Sequence, residues 1–272
     1  MPHNLKENSN VKQKKLTGYN LAKYIFALAL LVEQMKNEKM KKFLLLVISF
    51  ITVLTSFSQT NREQTGWFFF LNGTKINKKW GLHLDAQVRS HDEWSGVKNY
   101  LFRPGITYYI KPNQNATLGY LLAQTYLKTS TGTKTLNEHR IWQQYIVSHP
   151  VFTGTLAHRF RLEQRFIQKA DDTKIFAQRL RYFFRDVQPL VKTNGAFTKG
   201  PFVALQNELF FNVQNKDLLN GKVFDQNRAY IAAGARFSKK FDAELGYMNQ
   251  FVKGAATNTT NNILQLALYT RF

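Results

Sequence analysis

The sequence predicts an all-β fold, an antiparallel up-and-down transmembrane β-barrel, and three observations carry that expectation. Apolar and polar residues alternate through one segment after another from Trp67 to Phe272. Many of these segments run 11 to 15 residues, where globular strands average about 5–6 and a tilted membrane strand needs about 9–11. The chain also holds 23 Phe, 12 Tyr and 4 Trp, yet no run nears the ~20 apolar residues of a membrane helix.

The front of the chain reads as an export signal. Met40-Lys41-Lys42 precedes the apolar stretch Phe43 to Leu54, and Thr55-Ser56-Phe57-Ser58 closes it. A basic start, an apolar region of about 12 residues and small residues at the exit describe a secretory signal peptide. It covers 40–58, with cleavage between Ser58 and Gln59. A buried helix is the bland alternative, and the basic flank and small-residue exit weigh against it. Residues 1–39 are rich in Lys and Asn and carry a second apolar run from Leu21 to Val32. They are read as a non-native or mis-assigned extension upstream of a start at Met40 or Met35, which leaves 59–272 as one barrel domain.

Alternation then sets the strands. Trp80, Leu82, Leu84, Ala86 and Val88 interleave with Gly81, His83, Asp85, Gln87 and Arg89, so one face is apolar and the other polar. The pattern returns around Phe160 and Leu162, Leu180 and Tyr182, Leu205 and Leu209, Ile231 and Ala233, and Leu245 and Tyr247. Eleven such segments begin near residues 67, 80, 98, 116, 137, 155, 174, 202, 227, 241 and 262. Single-chain bacterial barrels usually hold an even number, so the expectation is 10–12 strands with twelve favoured. Tight turns are expected at Asn77-Lys78-Lys79, Lys111 to Asn115, His149-Pro150 and Ser238-Lys239-Lys240. Longer loops are expected at Thr129 to Leu136, Gln214 to Phe224 and Gly254 to Asn262. Asp186 to Gly200 is long on the short side and breaks that asymmetry. The last strand places Leu264, Leu266, Leu268 and Phe272 on one face, interrupted only by Thr270. A terminal Phe there resembles the signal read by the outer-membrane barrel assembly machinery.

The formal charge is +21, with 38 Lys/Arg against 17 Asp/Glu. Such a surplus calls for anionic contacts, and outer-membrane lipid and lipopolysaccharide suit an exported barrel. Nucleic acid does not. No cofactor or metal site is expected: Cys is absent, no HExxH or His-x-His spacing occurs, and there is no glycine-rich phosphate loop. The polar faces gather a lumen cluster of Arg89, Arg103, Glu138, Arg140, Arg159, Arg161, Glu163, Arg165, Arg179, Arg181, Glu208, Arg228, Arg236 and Glu244. In a barrel this narrow, side chains largely fill the interior. The cluster therefore braces the lumen or draws an anionic solute into it, and arginine's planar fork suits both.

Several motifs carry a resemblance. Glu138-His139-Arg140 with Trp142-Gln143-Gln144, and His158-Arg159-Phe160-Arg161-Leu162-Glu163-Gln164-Arg165, look like the core pattern of the domain of unknown function 2490. Trp67, Arg89, Gly105-Ile106-Thr107-Tyr108 and Gly119-Tyr120 fit it too. The resemblance implies an outer-membrane barrel and carries no catalytic residue. Three function classes stay open: a non-enzymatic structural or narrow-pore barrel, a lipid hydrolase at the membrane interface, and a soluble periplasmic barrel binding an apolar ligand. A hydrolase needs a serine–histidine pair. His158 lies on the apolar-face parity, while Ser90–His91 and Ser148–His149 are sequence neighbours that point apart on a strand.

Overall fold

The computed structural model describes residues 60–192 and 195–272. The expected signal peptide and the Ser58/Gln59 cleavage point lie outside the described residues. Eleven strands follow one another: β1 (Thr60–Lys75), β2 (Trp80–Ser90), β3 (Val97–Lys111), β4 (Gln114–Thr129), β5 (Gly132–Val151), β6 (Gly154–Gln168), β7 (Lys174–Pro189), β8 (Gly200–Gln214), β9 (Phe224–Ser238), β10 (Phe241–Val252) and β11 (Asn258–Arg271). Each pairs antiparallel with its chain neighbours, and β1 closes the barrel by running parallel to β11.

That seam corrects the favoured count of twelve. The eleven segments marked by alternation are the eleven strands. An even number is required only if the closing pair is antiparallel. A parallel pair closes an odd barrel, because first and last strands then run in the same direction. Thr60 lies opposite Asn258 and Gly73 opposite Arg271, so the two ends of the wall segment leave from opposite ends of the barrel. Phe272 finishes the seam: its N–H donates to the Gly73 carbonyl (3.0 Å) and its own carbonyl accepts from Lys75 N–H (2.6 Å).

The connections define two ends. At the turn end, the Asn77 side chain accepts from the N–H groups of Lys79 (2.8 Å) and Trp80 (2.9 Å), a local bond that tightens the β1–β2 turn. The expected loop Thr129 to Leu136 is instead mostly strand, since β4 ends at Thr129 and β5 starts at Gly132. Gly132 takes φ +132° there, a conformation that a side chain disfavours. β5 also runs through His149-Pro150 to Val151, so its turn falls later than expected.

Period two sets the faces. Outward residues are apolar and exposed, among them Leu118 (59 %), Ile106 (56 %) and Leu245 (53 %). Inward positions hold the buried charges together with Trp67, Leu121, Trp142, Phe202 and Phe210. Two glycines make room for one of these rings. Gly105 and Gly119 are register partners, and a Cβ on Gly119 would meet the Trp142 ring at 2.3 Å.

Candidate functional site: an arginine-lined lumen

The inward polar residues form a continuous network, and register explains most of it. Asp85 lies directly opposite Arg103, Glu163 opposite Arg179, Glu208 opposite Arg228, and Asp242 opposite Arg236. Cross-strand partners on one face sit within side-chain reach. Glu163 is fully buried and forms the hub. Its Oε2 accepts from Arg179 Nε (3.0 Å) and Nη2 (2.7 Å) and its Oε1 from Arg181 Nη1 (2.6 Å). Arg140 Nη1 reaches Oε2 at 3.5 Å.

Neighbouring carboxylates extend the hub. Glu208 Oε1 accepts from Arg181 Nε (2.9 Å) and Nη2 (2.6 Å) and from Arg159 Nη2 (2.7 Å). Glu138 is held bidentately by Arg140 (2.7 and 2.9 Å) and by Arg165 (2.6 and 3.2 Å). Arg103 pairs with Asp85, and Arg179 also donates to Asp225 at 3.0 Å. These are charge-assisted bonds in fork geometry, the strong kind.

Two sequence-predicted residues lie apart, nearer the turn end. Glu244 takes Arg185 (2.5 Å) and the hydroxyls of Tyr230 (3.1 Å) and Tyr269 (2.8 Å). Arg236 makes a fork with Asp242 (2.9 and 2.9 Å), which also accepts from Arg271 at 2.5 Å. The β7–β8 connection closes over them. Arg236 Nη1 donates to the Phe197 carbonyl at 2.7 Å, its guanidinium lies over the Phe197 ring at 4.6 Å, and that ring meets Phe202 at 6.2 Å. Of the long Asp186–Gly200 stretch, β7 takes the residues up to Pro189, and Phe197 packs against the buried cluster of Phe202, Ala204, Tyr230, Ala232, Met248 and Ile263.

Two arginines of the predicted set have no carboxylate. Arg89 donates through Nε (3.1 Å) and Nη2 (2.5 Å) to Gln87 alone and stacks on Trp67 at 3.8 Å. Arg161 donates to Gln144 (3.1 and 2.6 Å), lies over Trp142 at 4.7 Å, and its Nη1 has no partner. Arg228 comes only within 3.9 Å of Glu208, while stacking on Trp67 (5.1 Å) and Phe210 (4.7 Å).

Asp85, Asp225 and Asp242 belong to the network but not to the cluster predicted from sequence. Parity alone was enough to include Asp85 and Asp242, whereas Asp225 has the apolar-face parity and reaches Arg179 from the register shift beside Phe224. The inward aromatics Trp67, Trp142 and Phe210 carry no such signal, because a ring is equally at home on the outer face. Of the histidines, His158 faces outward, bonds through Nδ1 to Tyr182 Oη (2.9 Å) and stacks on His149 (5.5 Å). Ser90 Oγ instead accepts from Gly66 N–H (2.9 Å) and donates to the His91 carbonyl (2.7 Å). Among the described residues, no group of three or more His, Asp or Glu is arranged to hold a metal ion.

Fold and lumen together define a class: a closed β-barrel with an apolar outer wall and an interior filled by arginine–carboxylate pairs. The chain belongs to the family described as protein of unknown function (DUF2490), which matches residues 64–261. No curated protein matches its sequence. Among solved structures the chain is similar to one described as a NanC porin, with a TM-score of 0.43 and 9 % identity over 70 % of this chain and 85 % of that one.

Proposed function

We propose that this protein is an outer-membrane barrel whose wall sits in lipid and whose lumen is braced nearly shut, a structural or narrow-pore component. The two-faced wall carries the reading. Large apolar residues cover the outside of a closed barrel, where a water-soluble protein rarely keeps a continuous apolar patch beyond a few hundred Å². Outward polar residues satisfy one another, as hydrocarbon demands. Gln143 and Gln164 exchange two bonds at 3.2 Å, Asn207 and Asn227 two at 2.9 and 3.3 Å, and Asn249 donates to Asn262 at 3.2 Å.

Charge segregation supports the same reading. The sixteen lysines from Thr60 onward all lie in connections or within three residues of a strand end, whereas twelve of the thirteen arginines there point into the lumen. Lysine rims at both ends suit anionic headgroups, including lipopolysaccharide phosphates. The shorter turns mark the periplasmic side and the loops the outside. Cleavage between Ser58 and Gln59 leaves one residue ahead of β1, whose start lies at the loop end. The terminal strand with Phe272 is the element offered to the assembly machinery. An apolar ligand inside would meet arginines, which disfavours the soluble binding barrel.

Fractionation of the native host, with boiled and unboiled samples compared on a gel, tests this directly. The expected result is outer-membrane recovery and a heat-modifiable band. Recovery as a soluble periplasmic protein would overturn it. Leu266→Arg, near the middle of β11, sharpens the test. It should cost about 2–4 kcal/mol of unfolding free energy in a bilayer if that face meets lipid, and within about 0.5 kcal/mol if it meets water.

A further inference from the structure

The loop half of the lumen contains a cavity of about 220 Å³ walled by Arg89, Arg103, Arg140, Arg179, Arg181 and Arg228, with no carboxylate among its lining residues. At about 30 Å³ per liquid water, it has room for one small oxyanion and several waters. The carboxylates nearest to it are already engaged. Glu163 serves three arginines, Glu208 two at short range, and Asp85 one. Arg89 is left with a neutral glutamine, and Arg228 with Gln226 at 3.5 Å and a carboxylate no nearer than 3.9 Å. With the Gln250 amide oxygen turned towards it, Arg228 gains a second neutral partner at 3.2 Å. Arg103 is 3 % exposed and its Nε has no partner. A buried cation without a counter-charge is costly. Arg89 and Arg228 are half-buried and have no close one, and a single ring holds both in place, for each stacks on Trp67.

Access is one-sided. A second cavity of about 260 Å³ shares Arg89 and Gln250 with the first and leads to the loop end past Trp67, Asn99, Lys98 and Thr259. On the turn side, the buried cluster of Phe202, Met248 and Ile263, with Phe197 packed against it, closes the lumen.

We propose that this cavity is a binding site for a small oxyanion, a carboxylate or a phosphate or sulfate group, taken up from the loop end. Arg89 and Arg228 are its principal ligands, and the unpartnered Nε of Arg103 is a third donor. The site is a blind receptor pocket. The proposal deepens the reading of a lipid-embedded barrel, in which the loop end is the open access.

The test is calorimetric titration of the purified, heat-modifiable barrel with inorganic phosphate, sulfate and acetate, with glycerol as the neutral control. Each variant is also followed by thermal unfolding. Wild type should bind at least one of the anions saturably at one site per chain. Arg89→Gln and Arg228→Gln should each weaken that binding at least tenfold, and together abolish it. Arg89→Gln should leave the barrel folded, because the charge it removes has no counter-ion. Phosphate should raise the unfolding midpoint of wild type more than that of the double variant, which separates binding from the general stabilising effect of the salt. Lys98→Ala, at the access route, should keep the binding. No saturable binding by a folded wild type would overturn the proposal and leave the membrane reading standing. Undiminished binding by the folded double variant would also overturn it, by assigning the anion to the lysine rims. A chain that stays soluble without detergent yet binds through Arg89 and Arg228 would sink the membrane reading and keep the site.

Discussion

The turn half and the loop half of this lumen are built from the same residue types and reach different states. In the turn half each arginine reaches a carboxylate at close range: Arg236 and Arg271 converge on Asp242, and Arg185 and two tyrosine hydroxyls on Glu244. Phe197 and Phe202 exclude space around them. In the loop half one carboxylate serves several cations, Arg89 and Arg161 rely on glutamines, and a cavity opens between the guanidiniums. An arginine-rich interior braces a barrel where carboxylates keep pace with cations. Where they fall short, the same residues become donors waiting for an anion.

Removing a hub should separate the halves most strongly. Glu163→Gln strips a buried charge from three arginines at once. Breaking a buried pair this way costs about 3–5 kcal/mol, read as a lowered urea midpoint for the heat-modifiable form. Glu244→Gln should cost less, since one arginine loses its charge partner and both tyrosines can still donate to the amide oxygen. Equal losses would mean that the two halves do not differ in electrostatic load.

The turn-end closure can be opened more gently. Phe197 is only partly buried, so Phe197→Ala should cost about 1 kcal/mol, below the roughly 1.5–3 kcal/mol of a fully buried side chain. Conductance in a planar bilayer should nevertheless rise, because the ring and its Arg236 contact sit across that mouth. Unchanged conductance would assign the closure to Phe202, Met248 and Ile263, which fill the lumen from the strands themselves.

Much of this comparison was written in the alternation, and its decisive parts were not. Wherever one face is greasy and the other charged, segment starts can be read, and β2, β7 and β10 begin at Trp80, Lys174 and Phe241 as expected. β1 begins seven residues earlier than expected, at Thr60 rather than Trp67. Its first residues, Thr60 to Gln64, are polar on both faces and pair with the equally polar Asn258–Asn262. Alternation cannot mark a strand with two polar faces. Nor does it encode which strand closes the barrel, because the β1–β11 pairing joins residues nearly the whole domain apart. Inward parity singles out Glu163, Arg179 and Glu208 as polar-face residues, and all three are buried within the barrel. Which carboxylate serves which arginine depends on register, and Arg185–Glu244 reaches across strands that are not neighbours. The shortfall of carboxylate around Arg89 and Arg228 was therefore out of reach of a one-dimensional reading.

The smallest effect is expected at the loop rim, outside the lumen, where the comparison should vanish. Asp172 sits in the β6–β7 connection and accepts from Lys134 Nζ (2.7 Å) and Gln168 Nε2 (3.0 Å). The Lys134 bond and then the Gln168 bond hold its carboxyl below the usual carboxylate range. A lowered folded-state pKa contributes stability above the unfolded value of about 3.9 and loses it as pH falls through the folded one. Asp172→Asn is the suitable probe: the backbone there has φ +66°, which Asn tolerates as well as Asp does. Because this pair is exposed to water and screened by salt, the variant should unfold close to wild type at pH 7. Any small difference should shrink in high salt and fade as the pH falls through the lowered folded-state value. A loss comparable to that of Glu163→Gln would mean that the rim carries load, and that the division between a braced turn half and an under-compensated loop half is drawn in the wrong place.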